Sequence, residues 1–210
     1  MAGRPKVAVL DYGIGNLRSA QRGLERAGAD AHLTADPGEI AAADGVVLPG
    51  VGAFGACMRA LADTGLDVEA RKAAASGRPF LGICVGMQLL YEASEESPGV
   101  EGLGILAGVI RWLPDSVKRP QMQWNVITTP RGGGAVHPLM RNMDGAWLYF
   151  VHSLAADDTA HAIATTEYGA TVVAASARDN VMATQFHPEK SDKAGLRLLQ
   201  NYVNLLEAGP

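Results

Sequence analysis

The sequence predicts an α/β fold: a central, mostly parallel sheet flanked by helices, with antiparallel strands added in the second half. Three observations predict it. Short apolar β runs alternate with helical stretches through the first half, the pattern of a parallel sheet covered on both faces. From residue 103 to about residue 186 the signals change to strands separated by turns. The length, 210 residues, suits one well-buried α/β domain and is short for two, so residues 1–210 are expected to form a single domain.

Taken in order, residues 7–10 (Val-Ala-Val-Leu) form a first strand ending at Asp11, and Tyr12-Gly13-Ile14-Gly15 is turn chemistry. Asn16 is placed to cap a helix whose Leu17, Ala20, Leu24 and Ala27 share a face and which Gly28 stops. Residues 30–35 are expected as a second strand and residues 45–48 as a third that breaks at Pro49-Gly50. Helical sequence follows from about Ala53 to Ala75, interrupted near Gly65, and Cys57 lies within it as a buried, inert thiol. The run Pro79-Phe80-Leu81-Gly82-Ile83 reads as a buried strand, and residues 85–91 as an amphipathic helix. Strands are then expected at 109–113, 124–128, 147–151, 161–166, 171–176 and 181–186. Residues 192–207 close the chain as a helix with Leu196, Leu199, Tyr202, Val203 and Leu206 along one stripe. Arg131-Gly132-Gly133-Gly134 is read as a flexible turn, since it lacks the lysine and helix context of a phosphate loop.

Composition narrows the class. A net charge of −4 gives no general reason to expect nucleic acid or an anionic membrane as partner. The two cysteines, Cys57 and Cys84, are too few for a disulfide framework and fit a reducing compartment. The N-terminus does not read as a signal peptide, and no apolar run approaches the ~20 residues of a membrane span. A cytoplasmic protein is expected.

The chemistry is concentrated at Gly82-Ile83-Cys84-Val85-Gly86. A thiol between glycines at a strand-to-helix turn matches a nucleophile elbow with cysteine in place of serine. Small neighbours let the side chain stand clear of the sheet, and the positive end of the following helix would favour the thiolate. Downstream, Gln185-Phe186-His187-Pro188-Glu189 offers a base and an orienting acid, because residues two apart on an extended strand point to one face. The segment Leu48-Pro49-Gly50-Val51-Gly52 ends a predicted parallel strand, where open α/β sheets place ligand sites. Its backbone N–H groups, with that of Val85, can be aimed at an oxyanion. Gln88, four residues after Cys84 and one helical turn on, could bring its amide to a bound ligand. The five histidines show no zinc-ligand spacing, so neither metal nor cofactor is expected.

Together with Asp11-Tyr12-Gly13-Ile14-Gly15-Asn16, Pro49-Gly50-Val51-Gly52-Ala53-Phe54, Tyr149-Phe150-Val151-His152-Ser153 and Phe186-His187-Pro188-Glu189-Lys190-Ser191, these motifs span nearly the whole chain. In that order they resemble the class I, triad-type glutamine amidotransferases, and within them the glutaminase subunits of imidazole glycerol-phosphate synthase. The resemblance implies a class I amidotransferase-like fold with Cys84 as nucleophile, His187 as acid/base and Glu189 as its orienting partner. It implies an oxyanion hole from Val85, Gly50, Val51 and Gly52, and glutamine held by Gly52, Gln88, Ser153 and Leu154. His152 is left as structural. The implied partners are L-glutamine and a separate cyclase chain, a (β/α)8 barrel meeting Trp124 and Lys190 in a heterodimer. That chain would use ammonia on the nucleotide intermediate PRFAR. Two positions depart from the family pattern, Gln123 for a usual glycine and Leu154 where tyrosine often follows His-Ser. Three other readings remain open on the residues: a cysteine hydrolase or peptidase, a non-catalytic regulatory subunit, and an amidotransferase serving another synthase.

Overall fold

The computed structural model describes residues 3–130 and 136–207. The Arg131-Gly132-Gly133-Gly134 turn lies outside the described residues. The first half alternates as expected: β1 (Lys6–Leu10), α1 (Leu17–Ala27), β2 (Asp30–Thr34), α2 (Pro37–Ala42), β3 (Gly45–Gly50), α3 (Phe54–Asp63), α4 (Leu66–Ala75) and β4 (Phe80–Cys84). A single helical turn, α5 (Val85–Gln88), follows, and then β5 (Ala93–Ser94), β6 (Val109–Trp112), β7 (Gln121–Val126), β8 (Trp147–His152) and β9 (Leu154–Ala156). The chain closes with β10 (Ala162–Glu167), β11 (Thr171–Arg178), β12 (Val181–Thr184) and α6 (Asp192–Glu207).

The main sheet runs β10-β11-β12-β4-β3-β1-β2. Pairs from β12 to β2 are parallel, whereas β10–β11 and β11–β12 are antiparallel, so the second half extends the parallel core as expected. Every residue of β3 and β4 is buried, the mark of central strands covered on both faces. Tyr202 of α6 fixes that helix to the sheet: its hydroxyl donates to the carbonyls of Val46 and Pro79 at 3.1 and 3.0 Å. The remaining strands form two small sheets, β5-β6-β9 and the ribbon β7-β8.

Several local expectations are corrected. Asn16 begins α1 with its carbonyl, which accepts from Ala20 N, but its side chain makes no cap bond. Its ψ of 48° is outside the extended region that side-chain capping needs. β3 does not break at Pro49; Pro49 and Gly50 still pair with Ile83 and Cys84. The β1 pairing has ended at Val47 by then, so the missing proline N–H costs no ladder bond. The Pro49 carbonyl is instead taken by the Tyr12 hydroxyl at 2.7 Å.

The expected amphipathic helix over 85–91 is only the four residues of α5, and all seven positions are buried. The carbonyls of Leu89, Leu90 and Tyr91 serve the N–H groups of Leu103, Ile105, Leu106 and Gly104, which leaves them unavailable for a longer helix. α2, β5 and β9 are additions to the expected elements. β12 stops at Thr184 rather than Phe186, and the ribbon strand expected from Trp124 starts at Gln121.

Candidate active site

Cys84 is the last residue of β4, with φ 56° and ψ −112°. A non-glycine residue held there costs on the order of 1–3 kcal/mol, sustained by the surrounding packing. Glycines make that packing possible. A Cβ on Gly86 would lie 1.8 Å from the Leu48 carbonyl oxygen, and one on Gly50 would lie 2.7 Å from Gly86 N. Backbone thus meets backbone where β3 passes the elbow, and Gly50 pairs directly with Cys84.

His187 and Glu189 converge by a different route from the strand alternation expected. β12 has ended, and Pro188–Lys190 is a 3₁₀ turn that folds Glu189 back so that its Oε1 lies 2.8 Å from His187 Nδ1. The turn is tied to β8: His187 N donates to Tyr149 O at 3.0 Å, and Ser191 Oγ donates to His187 O while accepting from Tyr149 N. Gly195 of α6 lets that helix close over the turn, since a Cβ there would lie 1.8 Å from Pro188 O. Both side chains of the pair are 2% exposed.

Burial pushes the His187 imidazole down, but Cys84 and Glu189 together outweigh it and raise the group from 6.5 to about 9. Nε2 is buried, and Cys84 beside the ring supports its protonated form. At neutral pH the ring therefore carries its proton, facing the cleft.

That cleft has a volume of about 430 Å³, and Cys84 and His187 both line it. Of the other residues singled out in the sequence, Val51, Gly52, Val85, Gln88, Ser153, Leu154 and Lys190 also line it. Gly50 lies behind it at the β3–elbow contact, Glu189 behind His187, and Trp124 on the neighbouring ribbon. Gly52 has φ 86°. The Val51 carbonyl accepts from Cys57 Sγ at 3.2 Å, so the trans peptide turns the Gly52 N–H to the opposite side. Cys57 is fully buried, as expected, but it tethers this loop instead of standing idle.

Gln88 has a narrower capacity than expected. Its Nε2 donates to Leu154 O at 3.2 Å and to Gln185 Oε1 at 3.0 Å, which uses both amide protons and leaves only Oε1. Leu154 O is also met by His152 Nδ1 at 2.8 Å. Burial lowers His152 to about 4, so it is a neutral ring bracing the loop between β8 and β9, in keeping with a structural role.

Sequence reasoning missed Asn16, Glu96, Pro120 and Val151 in the cleft lining, and Gln185 beside Cys84. Glu96 accepts from Phe54 N, at the start of α3, at 2.7 Å. Nothing local in its acidic, turn-rich surroundings distinguishes it from a solvated carboxylate. Among the described residues no group of His, Cys, Asp or Glu is arranged to hold a metal ion, and no helix is long and apolar enough to cross a membrane.

A strained thiol elbow and a buried His–Glu pair on one cleft of a mostly parallel sheet are the features of a cysteine-based amidotransferase. The family model described as "Glutamine amidotransferase class-I" matches residues 8–205. Solved structures agree on the fold. The PurLQS structure from Thermotoga maritima superposes with a TM-score of 0.74 at 20% identity, covering 96% of this chain and 98% of that one. The glutaminase domain of Trypanosoma brucei CTPS gives 0.68 at 15%, covering 98% and 95%. The imidazole glycerol phosphate synthase subunit HisH of Symbiobacterium thermophilum is 45% identical over 96% of this chain and 94% of its own. That of Synechococcus elongatus is 48% identical over 99% and 97%. The chain belongs to the class-I glutamine amidotransferase family. Within it, its place is with the HisH subunits of imidazole glycerol phosphate synthase, and it is an enzyme subunit of the glutaminase type.

Proposed function

We propose that this subunit hydrolyses L-glutamine through Cys84, His187 and Glu189 and passes the ammonia to a separate cyclase chain. The observation that carries the reading is the convergence of the strained Cys84 thiol and the Glu189-braced, proton-bearing His187 on one cleft. The Cys84 thiolate attacks the side-chain amide carbon, and the oxyanion is met by the N–H groups of Val85 and of the 50–52 segment, Gly52 foremost. One such donor typically contributes ~2.7–4 kcal/mol to the transition state. His187 gives its proton to the departing ammonia, leaving a glutamyl thioester. The sulfur is then uncharged, so His187 loses part of its support and becomes neutral enough to take a proton from water. Hydrolysis releases glutamate and restores the thiolate and the imidazolium. Gly52, Ser153 and Leu154 frame the substrate, while Gln88 Oε1 and the Glu96 carboxylate supply acceptors suited to an α-ammonium group.

Ammonia released into water is mostly protonated and no longer nucleophilic, so a synthase must cover the site. The β7–β8 ribbon offers the surface. One face carries Met122, Trp124, Val126, Trp147, Tyr149 and Val151, opposite the buried Leu148, Phe150 and His152 of β8, and Val151 reaches the cleft itself. Trp124 and Trp147 are 44% and 59% exposed. This apolar strip, with Lys190 at its edge, is where we place the cyclase, a (β/α)8 barrel. That chain would turn PRFAR and ammonia into imidazole glycerol phosphate and aminoimidazole carboxamide ribotide. The decisive experiment is glutaminase turnover of Cys84→Ala with the cyclase present: loss of activity is expected, and undiminished turnover would end the assignment.

A further inference from the structure

Gln185 is fully buried, two residues before His187, and the mechanism above does not use it. Its place is set by a chain of bonds whose polarity can be read in only one way. The Leu154 carbonyl can only accept, so the Gln88 atom 3.2 Å from it is the amide nitrogen. The second proton of that nitrogen points to Gln185 at 3.0 Å and requires an acceptor, so Gln185 presents its Oε1 there. The Gln185 amide is thereby held in one of its two flip states. Its Nε2 is directed at Cys84 Sγ, 3.9 Å away, within the longer reach that sulfur's size allows. In the opposite flip an oxygen would face the sulfur, repelling a thiolate and accepting from a thiol.

We infer that Gln185 is a positioning residue that presents a fixed N–H to Cys84 and so favours its thiolate, with Gln88 and the Leu154 carbonyl holding the amide in that orientation. The inference rests on Cys84 as the reactive thiol and adds to it a neutral donor besides the imidazolium. Cys57 and Tyr12 are the other titratable neighbours, and the Val151 carbonyl, 4.0 Å from Sγ, is the acceptor that a thiol would use. A hydrogen bond to an anionic acceptor is stronger than one to a neutral group, so the donor shifts the protonation balance toward the anion. It also couples the cleft wall at 153–154 to the nucleophile, because displacing the Leu154 carbonyl frees Gln88 and, through it, Gln185.

The test is the pH dependence of Cys84 alkylation by iodoacetamide, with the modified residue identified by peptide mass mapping. Gln185→Met keeps the length and removes the donor; Gln185→Glu places an oxygen where the N–H was. For Gln185→Met the rising limb of rate against pH should move to more alkaline values by about one pH unit, roughly a tenfold slower reaction at a given pH on that limb. For Gln185→Glu it should move further in the same direction. A merely structural role would lower the melting temperature and leave the limb where it is, and that result overturns the inference. Should the Gln185 variants fail to fold, Gln88→Met, which leaves Gln185 intact but free to flip, must show the same direction of shift or the inference falls. The alkylation readout needs no turnover. Failure of the glutaminase reading would show instead as full activity in Cys84→Ala.

Discussion

Replacing Gly86 with alanine puts a methyl carbon 1.8 Å from the Leu48 carbonyl oxygen, 2.8 Å from the Leu48 carbon and 3.2 Å from the Pro49 carbon. Carbon–oxygen contacts in proteins settle at about 3.3 Å or more, so β3 and the elbow must separate by roughly 1.5 Å. Both partners are backbone, and no side-chain rotation relieves the clash. Overpacking of this kind costs about 1–3 kcal/mol, against at most about 1 kcal/mol gained from a less flexible unfolded chain. At the middle of that range the net loss is about 1–2 kcal/mol, which in a chain of this length corresponds to a fall in melting temperature of roughly 2–8 °C. Activity should suffer more than stability. Cys84 stands on one of the separating segments and the 50–52 loop on the other, and a misplacement of ~1 Å in a catalytic constellation costs on the order of a hundredfold in rate. Differential scanning calorimetry and glutaminase turnover in the assembled synthase measure the two effects. Gly52→Ala is the contrast, because its Cβ would meet nothing within 4 Å and only its φ of 86° is strained. It should cost about 1–2 kcal/mol without separating the strands. A Gly86→Ala protein that melts and turns over like the wild type would refute the close approach of β3 to the elbow as the device that holds the site.

Two further outcomes are expected. His187 is raised from 6.5 to about 9, so its protonation stabilises the folded state fully below about pH 6.5, and that contribution is lost as pH rises through about 9. Glu189→Gln removes one support; its deficit against the wild type, about 3–5 kcal/mol in urea unfolding near pH 6, should shrink by about pH 9.5. A gap that stays constant with pH would contradict the pairing. Trp124→Ala should weaken binding of the cyclase chain by ten- to a hundredfold in calorimetry while the isolated subunit keeps its melting temperature; unchanged affinity would move the partner off the β7–β8 ribbon.

Some of this molecule is legible from neighbouring residues. The elbow is local, because the glycines at 82 and 86 and the apolar residues of β4 are contiguous, and Gly28 and Gly65 mark helix ends in the left-handed conformation. α2 is equally local, with Asp36 accepting from Glu39 N and Pro37 in the first turn, yet six residues are too short to show a helical period. The length of α5 is not legible, because residues 89–91 give their carbonyls to partners more than ten positions away. In the sequence Gln185 resembles an ordinary strand residue, Glu96 a solvated carboxylate, and Gln88 a free helix amide.

By itself the sequence determined the alternation of strands and helices, the place of the thiol at a strand end, and the pairing of imidazole and carboxylate within one short motif. These depend on side-chain size, backbone freedom and spacing, which act over a few residues. Tertiary structure decided which groups face the sulfur and in what polarity: a turn rather than a strand joins His187 to Glu189, and a carbonyl at Leu154 orders two buried amides. Hydrogen-bond direction across the core follows from which acceptor the fold brings to which donor, and that choice is made only when distant segments close on one another.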